Sequence, residues 1–205
     1  MMTPGKPLAE VREVRPGVQS LPLSGLPDAE LAMRAKAGDS WAEEAIFRRH
    51  ARTLLKTAGH LLRDPDEAED VVQESFVIAL SEIEGLRRPE ALLGWLKQIT
   101  VRQVHRRFRR QKLLRLLGMG PAAAEAEQVA GGGLSPEQRG ELALLERVVD
   151  QLSPEDRAAW ILRSVEGEAL ADVARLCGCS LATAKRRIAR TEALLALHTQ
   201  GGPLR

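Results

Sequence analysis

DPDEAEDVVQESFVIALSEIEGLRRPEALLGWLKQITVRQVHRRFRRQKLLR, residues 64–115, opens on the acids Asp64, Asp66, Glu67, Glu69, Asp70 and Glu74 and passes through an apolar segment. It closes with seven Lys/Arg and no acid between Val101 and Arg115. One end suits a basic protein surface and the other a polyanion. On a helix, residues three and four apart share a face, so Glu67, Asp70 and Glu74 line one side with Gln73 beside them. Ala68, Val72, Ala79 and Ile83 fall on the opposite stripe, which predicts an amphipathic helix with an acidic ridge. Its start is marked by Asp64 as a cap, Pro65 at the first helical position and Glu67 in a capping-box-like place. Acids in a first turn also complement the helix dipole, which accounts for Asp66 and Glu67 equally well. Glu74 lies beyond that reach.

The basic end follows the same geometry. At 100° per residue, Arg102, Arg106, Arg109 and Arg110 fall within about a quarter to a third of the circumference, with Val101, Val104 and Phe108 across from them. Such a helix packs on one side and offers guanidinium groups, suited to phosphate forks and base contacts, on the other. Trp95, Leu96 and Ile99 share the arginine sector, so the buried face must change partners along the helix.

Composition sets the bounds. The chain has 205 residues, 44% of them hydrophobic and 3% aromatic, with no Tyr. That allows one or two domains built of packed helices, rich in Ala, Leu and Val. The net charge of +2 conceals the segregation just described. No apolar run approaches the ~18 residues of a membrane span, and no apolar signal core opens the chain, so a cytoplasmic protein is expected. Two cysteines, Cys177 and Cys179, make no disulfide framework; they read as small apolar side chains at a tight crossing. His50, His60, His105 and His198 are scattered and read as surface or helix-end residues. Trp41, Trp95 and Trp160 read as core anchors. A nucleotide-binding glycine loop, HExxH and a nucleophile elbow are all missing from the sequence, so it offers no support for an enzyme, a cofactor or a metal site.

Along the chain, residues 1–27 carry five prolines and read as a flexible arm. Residues 28–117 predict a four-helix bundle: Asp28 to about Ala37, Ser40 to about Arg63, Pro65 to about Glu84, and a basic helix from Pro89 to about Leu117. In the second of these, Phe47, Ala51, Leu54, Ala58 and Leu61 form the expected inward stripe. Residues 118–135, rich in Gly and Ala, read as a flexible linker reaching roughly 60 Å if extended, so the two domains are expected to move independently. Residues 136–198 predict a four-helix domain, with 199–205 as a tail. Ser135-Pro136 and Ser153-Pro154 repeat a cap-plus-proline start, ahead of helices over about 137–151 and 154–165. A segment from Glu168 to Cys177, a turn at Gly178-Cys179-Ser180 and a helix from Leu181 to about His198 make a helix-turn-helix. Leu181, Ala184, Ile188, Thr191 and Leu195 are expected inside; Ala182, Thr183, Lys185, Arg186, Arg187 and Arg190 outside. The fold class is therefore all-α, an N-terminal four-helix bundle and a C-terminal four-helix domain joined by a linker.

With GDSWAEEAIFRRH, DPDEAEDVVQESF, GWLKQITVRQVHRRFRR and LSPEDRAAWILRSVEGEALADVARLCGCSLATAKRRIAR in that order, residues 28–198 resemble a bacterial RNA polymerase sigma factor of the extracytoplasmic-function (ECF) type. The resemblance implies that Asp64, Glu67, Asp70, Gln73 and Glu74 dock on the clamp helices of the largest subunit of core RNA polymerase. It implies Leu86, Arg87, Arg88, Lys97, Arg102, Arg106, Arg109 and Arg110 at the −10 element of promoter DNA. Ser180, Thr183, Lys185, Arg186, Arg187 and Arg190 would read the −35 element in the major groove. An anti-sigma protein or other regulator is the further partner implied. Family members often carry Asn and Asp where this chain has Arg102 and Arg106. Cations there favour phosphate contact over a hydrogen-bonding code, so the usual −10 sequence does not carry over. Ala182 and Ala184 replace the common Gly and Val. The alternative is an autonomous helix-turn-helix regulator, which would bind an operator without polymerase, usually as a dimer; no dimerisation segment is visible. A pure adaptor would leave both sets of arginines unneeded.

Overall fold

A computed structural model of the protein describes residues 25–117, 135, 140 and 152–200. Its regular elements among the described residues are helices. Helix α1 (Asp28–Lys36) is followed by α2 (Ser40–Leu62), whose cap Asp39 accepts from the Trp41 N–H at 3.0 Å. Arg63 ends α2 in the left-handed conformation, φ 61°, with its N–H on the Gly59 carbonyl at 2.8 Å. Helix α3 (Pro65–Glu82) starts as its sequence predicts: the Asp64 carboxylate accepts from the Glu67 N–H at 3.0 Å, and Pro65 stands where no N–H is required. Two 3-10 turns, Ile83–Gly85 and Pro89–Ala91, lead into α4 (Leu92–Leu116).

The C-terminal group comprises α5 (Pro154–Ser164), α6 (Leu170–Leu176) and α7 (Leu181–Gln200). Ser153 caps α5, accepting from the Asp156 N–H at 3.1 Å. Gly178 turns the chain between α6 and α7 at φ 61°, a conformation that costs a side-chain-bearing residue. The arm over residues 1–24, the linker 118–135 apart from Ser135, and the helix expected over 137–151 lie outside the described residues, residue 140 excepted.

Leu31, Ile46, Leu54, Leu61, Val71, Leu92, Leu96, Ile99, Val101 and Val104 fill the centre of the N-terminal bundle. The stripe on α3 is as expected, with Ala68, Val72, Ala79 and Ile83 buried and Val71, Ser75 and Phe76 added. On α2, Leu54, Ala58 and Leu61 are buried as expected, Ala51 is half-buried, and the stripe departs at its start. Phe47 is 44% exposed, its ring tilted at 59° against that of Phe76 with centroids 4.8 Å apart, while Ile46, His50 and Thr57 are also buried. His50 is thus no surface residue: it is buried, with Nε2 3.1 Å from Asp28 Oδ1. The three tryptophans pack only partly buried against the core, Trp41 beneath the Arg34 guanidinium at 4.8 Å. On α7, Ala184, Ile188 and Thr191 are buried as expected, but Leu181 is exposed and Leu195 only half-buried. Leu181 opens the helix, before its inner face reaches α5 and α6.

The two helix groups are clasped. Glu166 accepts from Thr57 Oγ1 at 3.0 Å and lies 2.6 Å from His60 Nδ1. Lys97 pairs with Glu168, and Arg175 donates to the Gly94 carbonyl at 3.2 Å. The Arg157 guanidinium lies over the Phe108 ring at 4.8 Å. This supplies the change of partner that α4 requires. Its Gly94, Lys97 and Gln98 face α6 and the loop ahead of it, while Leu96, Ile99 and Val101 remain in the bundle.

Candidate functional site

The acidic ridge forms on α3 as the spacing requires. Asp70 and Glu74 are 66% and 58% exposed at their side chains, and Gln73 is exposed between them. Glu67, nearer the helix start, is half-buried and accepts from Gln111 Nε2 of α4 at 2.9 Å. Asp64 is exposed, and its carboxylate serves the cap. Among the described residues, the chain's own arginines do not cover the ridge. Arg107 reaches Asp70 and Glu74 only at 3.8 and 3.9 Å, a distance at which exposed ion pairs contribute little.

Between α3 and α4 lies a groove of about 780 Å³. Asp70, Gln73 and Glu74 border it on one side and Arg106, Arg107 and Arg110 on the other, with Val77, Ile78 and Gln103 completing the lining. The structure thus brings the ridge and the arginine face, read from sequence as separate surfaces, to one cleft. Arg102, Arg106, Arg109 and Arg110 are exposed, and among the described residues no carboxylate lies within ion-pair distance of them. Sequence reasoning missed Arg107 and Val77. Arg107 belonged to the cation run, and only the approach of α3 singles it out; Val77 is an exposed apolar residue with no pattern to flag it.

Other residues are placed less openly. Leu86 is buried, and its carbonyl accepts from Lys36 Nζ at 2.5 Å, so it anchors the loop and leaves Arg87 and Arg88 exposed. Arg88 donates to Glu90 at 3.0 Å; that bond and a backbone hydrogen bond hold the exposed Glu90 carboxyl below its ordinary pKa, the backbone bond being the larger influence. Lys97 faces Glu168 and is largely buried by it.

On the helix-turn-helix, Ser180 caps α7, accepting from the Thr183 N–H at 3.1 Å with its hydroxyl 2.9 Å from that of Thr183. Lys185 and Arg186 are exposed with no carboxylate at ion-pair distance among the described residues. Arg187 and Arg190 instead turn toward Asp156 of α5, at 3.9 and 3.0 Å. Between the helix groups, burial pushes the His105 imidazolium to a lower pKa, opposed by Glu155 and assisted by Arg109 and Arg187. Among the described residues, no group of three or more His, Cys, Asp or Glu is placed to hold a metal ion, and no helix is long and apolar enough to cross a membrane.

Comparison with known proteins follows the same division. The family described as Sigma-70 region 2 matches residues 46–113, and Sigma-70 region 4 matches residues 142–195. The chain is 33% identical over 173 residues to the ECF RNA polymerase sigma factor SigM of Mycobacterium tuberculosis, covering 82% of this chain and 83% of that one. It is 31% identical over 186 residues to the ECF RNA polymerase sigma-E factor of Haemophilus influenzae, covering 83% and 94%. Its fold is similar to that of CnrH bound to the cytosolic domain of CnrY, with a TM-score of 0.60 and 22% identity over 86% of this chain and 99% of that one. The sigma factor RpoE of Bartonella quintana, in complex with the anti-sigma factor NepR, gives 0.59 and 23% over 77% and 96%. The charge-segregated bundle, the basic helix-turn-helix and these relatives together place the chain in the family of ECF RNA polymerase sigma factors.

Proposed function

We propose that the division of labour in this sigma factor runs along the α3–α4 groove and the outer face of α7. As an ECF sigma factor, the protein binds core RNA polymerase and directs promoter recognition and initiation. In this reading Asp64, Asp70, Gln73 and Glu74 meet a basic helical surface of the polymerase, with Glu67 steadying the ridge through Gln111. Arg102, Arg106, Arg109 and Arg110, with Arg87 and Arg88 in the loop, hold the backbone of the −10 DNA. Lys97 joins them once Glu168 releases it. Lys185, Arg186, Arg187 and Arg190 face the −35 element, while Ser180 and Thr183 set the N-terminus of the helix that carries them. The chain does no bond chemistry; it contributes binding energy that offsets unstacking of a few kcal/mol per base step. Both solved neighbours hold an anti-sigma protein or the cytosolic domain of a partner, and a regulator of that class is the further partner expected here.

One observation carries this reading: an exposed carboxylate ridge, touched only at 3.8 and 3.9 Å by Arg107, lies across a single groove from Arg106 and Arg110, which have no carboxylate partner among the described residues. The test is run-off transcription with purified core enzyme on a genomic fragment library. Discrete start sites that depend on the added chain are expected. Tight operator binding without polymerase, and no start site with it, would instead identify an autonomous regulator.

A further inference from the structure

The Asp156 carboxylate sits under the recognition helix with 6% of its side chain exposed. Its role is not capping: Ser153 does that, and Asp156 contributes only its backbone N–H to Ser153 Oγ. Both carboxylate oxygens point instead to α7. Oδ2 accepts from Arg190 Nη1 at 3.0 Å, and Oδ1 lies 3.9 Å from Arg187 Nε. Arg190 keeps 59% of its side chain in solvent and is hydrogen-bonded at its inner edge, while Arg187 keeps 23% and, at 3.9 Å, is drawn in by the charge of a buried carboxylate rather than by a hydrogen bond.

We infer that Asp156 is a positioning residue for −35 recognition, fixing Arg187 and Arg190 as a pre-aimed pair. The inference rests on the assignment of α7 to the −35 element. Two physical consequences follow from one buried carboxylate between two guanidinium groups. A long side chain already held in one geometry loses less freedom when it meets a base edge, so the cost of ordering does not fall on the bound state. One negative charge against two positive ones also weakens the sequence-independent pull of the phosphates, without touching the hydrogen bonds that read bases. Both effects raise discrimination more than affinity. A strut that merely joined α5 to α7 would have neither effect.

The experiment uses the full chain with core polymerase on a promoter library randomised in the upstream element, comparing wild type with Asp156→Asn. The variant is expected to bind polymerase as before and to lose roughly tenfold of the base preference at the positions that Arg187 and Arg190 read. It is also expected to bind random duplex more tightly, with a steeper salt dependence. In an Arg187→Ala/Arg190→Ala background, Asp156→Asn should cause no further loss of preference. Unchanged preference at every position, or a uniform loss on all sequences with a lowered folding midpoint, would overturn the inference and leave a strut. If Asp156→Asn does not fold, Asp156→Glu keeps the charge and moves it by one methylene; altered preference with retained binding supports positioning, and an unaltered profile opposes it. A wild-type holoenzyme that starts transcription from no library member would bring down the sigma reading itself, and this inference with it.

Discussion

His50 is held inside the bundle by Asp28, and burial lowers its pKa from an ordinary value of 6.5 despite that carboxylate, whose charge and hydrogen bond raise it. His105 is shifted the same way, again chiefly by burial. A histidine whose folded pKa is depressed binds a proton more readily when unfolded, so its contribution to stability is intact above the unfolded value and is lost as pH falls below it. Urea unfolding should therefore show wild-type stability falling as pH drops below about 6.5, where unfolded histidine titrates. A His50→Gln/His105→Gln variant, which keeps a hydrogen-bonding group at each place, should show a flatter profile over the same window. Cys177 is a second case of burial acting on one group: its thiol is pushed up to about 12, the neighbouring Cys179 adding to the shift and Arg187 opposing it. The nucleophile is the thiolate, so in a Cys179→Ser chain at neutral pH, alkylation of native Cys177 should be at least about a hundredfold slower than in urea. Equal rates would mean that the thiol is not held in its protonated form.

Helix α3 supplies the sharpest prediction at the scale of an element. Asp70→Lys/Glu74→Lys reverses two mostly exposed charges beside Arg106, Arg107 and Arg110, and should abolish co-purification with core polymerase while leaving far-ultraviolet circular dichroism unchanged. Retained co-purification would remove the ridge from the interface. At the α6–α7 turn, a Cβ added to Gly178 meets nothing within 4 Å, so Gly178→Ala isolates backbone strain at φ +61°. It should cost about 1–2 kcal/mol, read as a lower folding midpoint. These two elements were also the most legible in sequence, because Asp64, Pro65 and Gly178 act locally, on backbone within three residues of themselves. Other features were not legible, for physical reasons. The inward places of α2 depend on which helices pack against it, and periodicity alone gave Phe47 an inward place while Ile46 and His50 are the residues buried there. Asp156 reads in sequence as one more acid in a first turn; its partners Arg187 and Arg190 lie 31 and 34 positions away, beyond any local pattern.

For the molecule as a whole, the clasp between the helix groups decides how the two basic faces are presented. Its carboxylates come from one tripeptide, Glu166-Gly167-Glu168, and Gly167 turns at φ 73° to let both side chains reach the N-terminal bundle. Glu166 is almost fully covered by Thr57 and His60, while Lys97 and Glu168 are each more than four-fifths buried. Removing one member of a fully buried pair costs about 3–5 kcal/mol, and a partly solvated pair costs less. Because the two helix groups belong to one chain, their docking is intramolecular, and a loss of even about 1–3 kcal/mol shifts it by several-fold or more. Glu166→Gln/Glu168→Gln should therefore give a larger radius of gyration by small-angle scattering, with helix content unchanged. Polymerase binding through α3 should persist, since Asp70 and Glu74 stand on the far groove and take no part in the clasp. High salt should expand the wild-type chain less than the double substitution does, because the Lys97–Glu168 pair is more than four-fifths buried and salt screens it weakly. A radius that stays fixed in the variant would mean that the apolar cluster, which runs unbroken from Leu31 to Ile188, holds the halves together without the carboxylates.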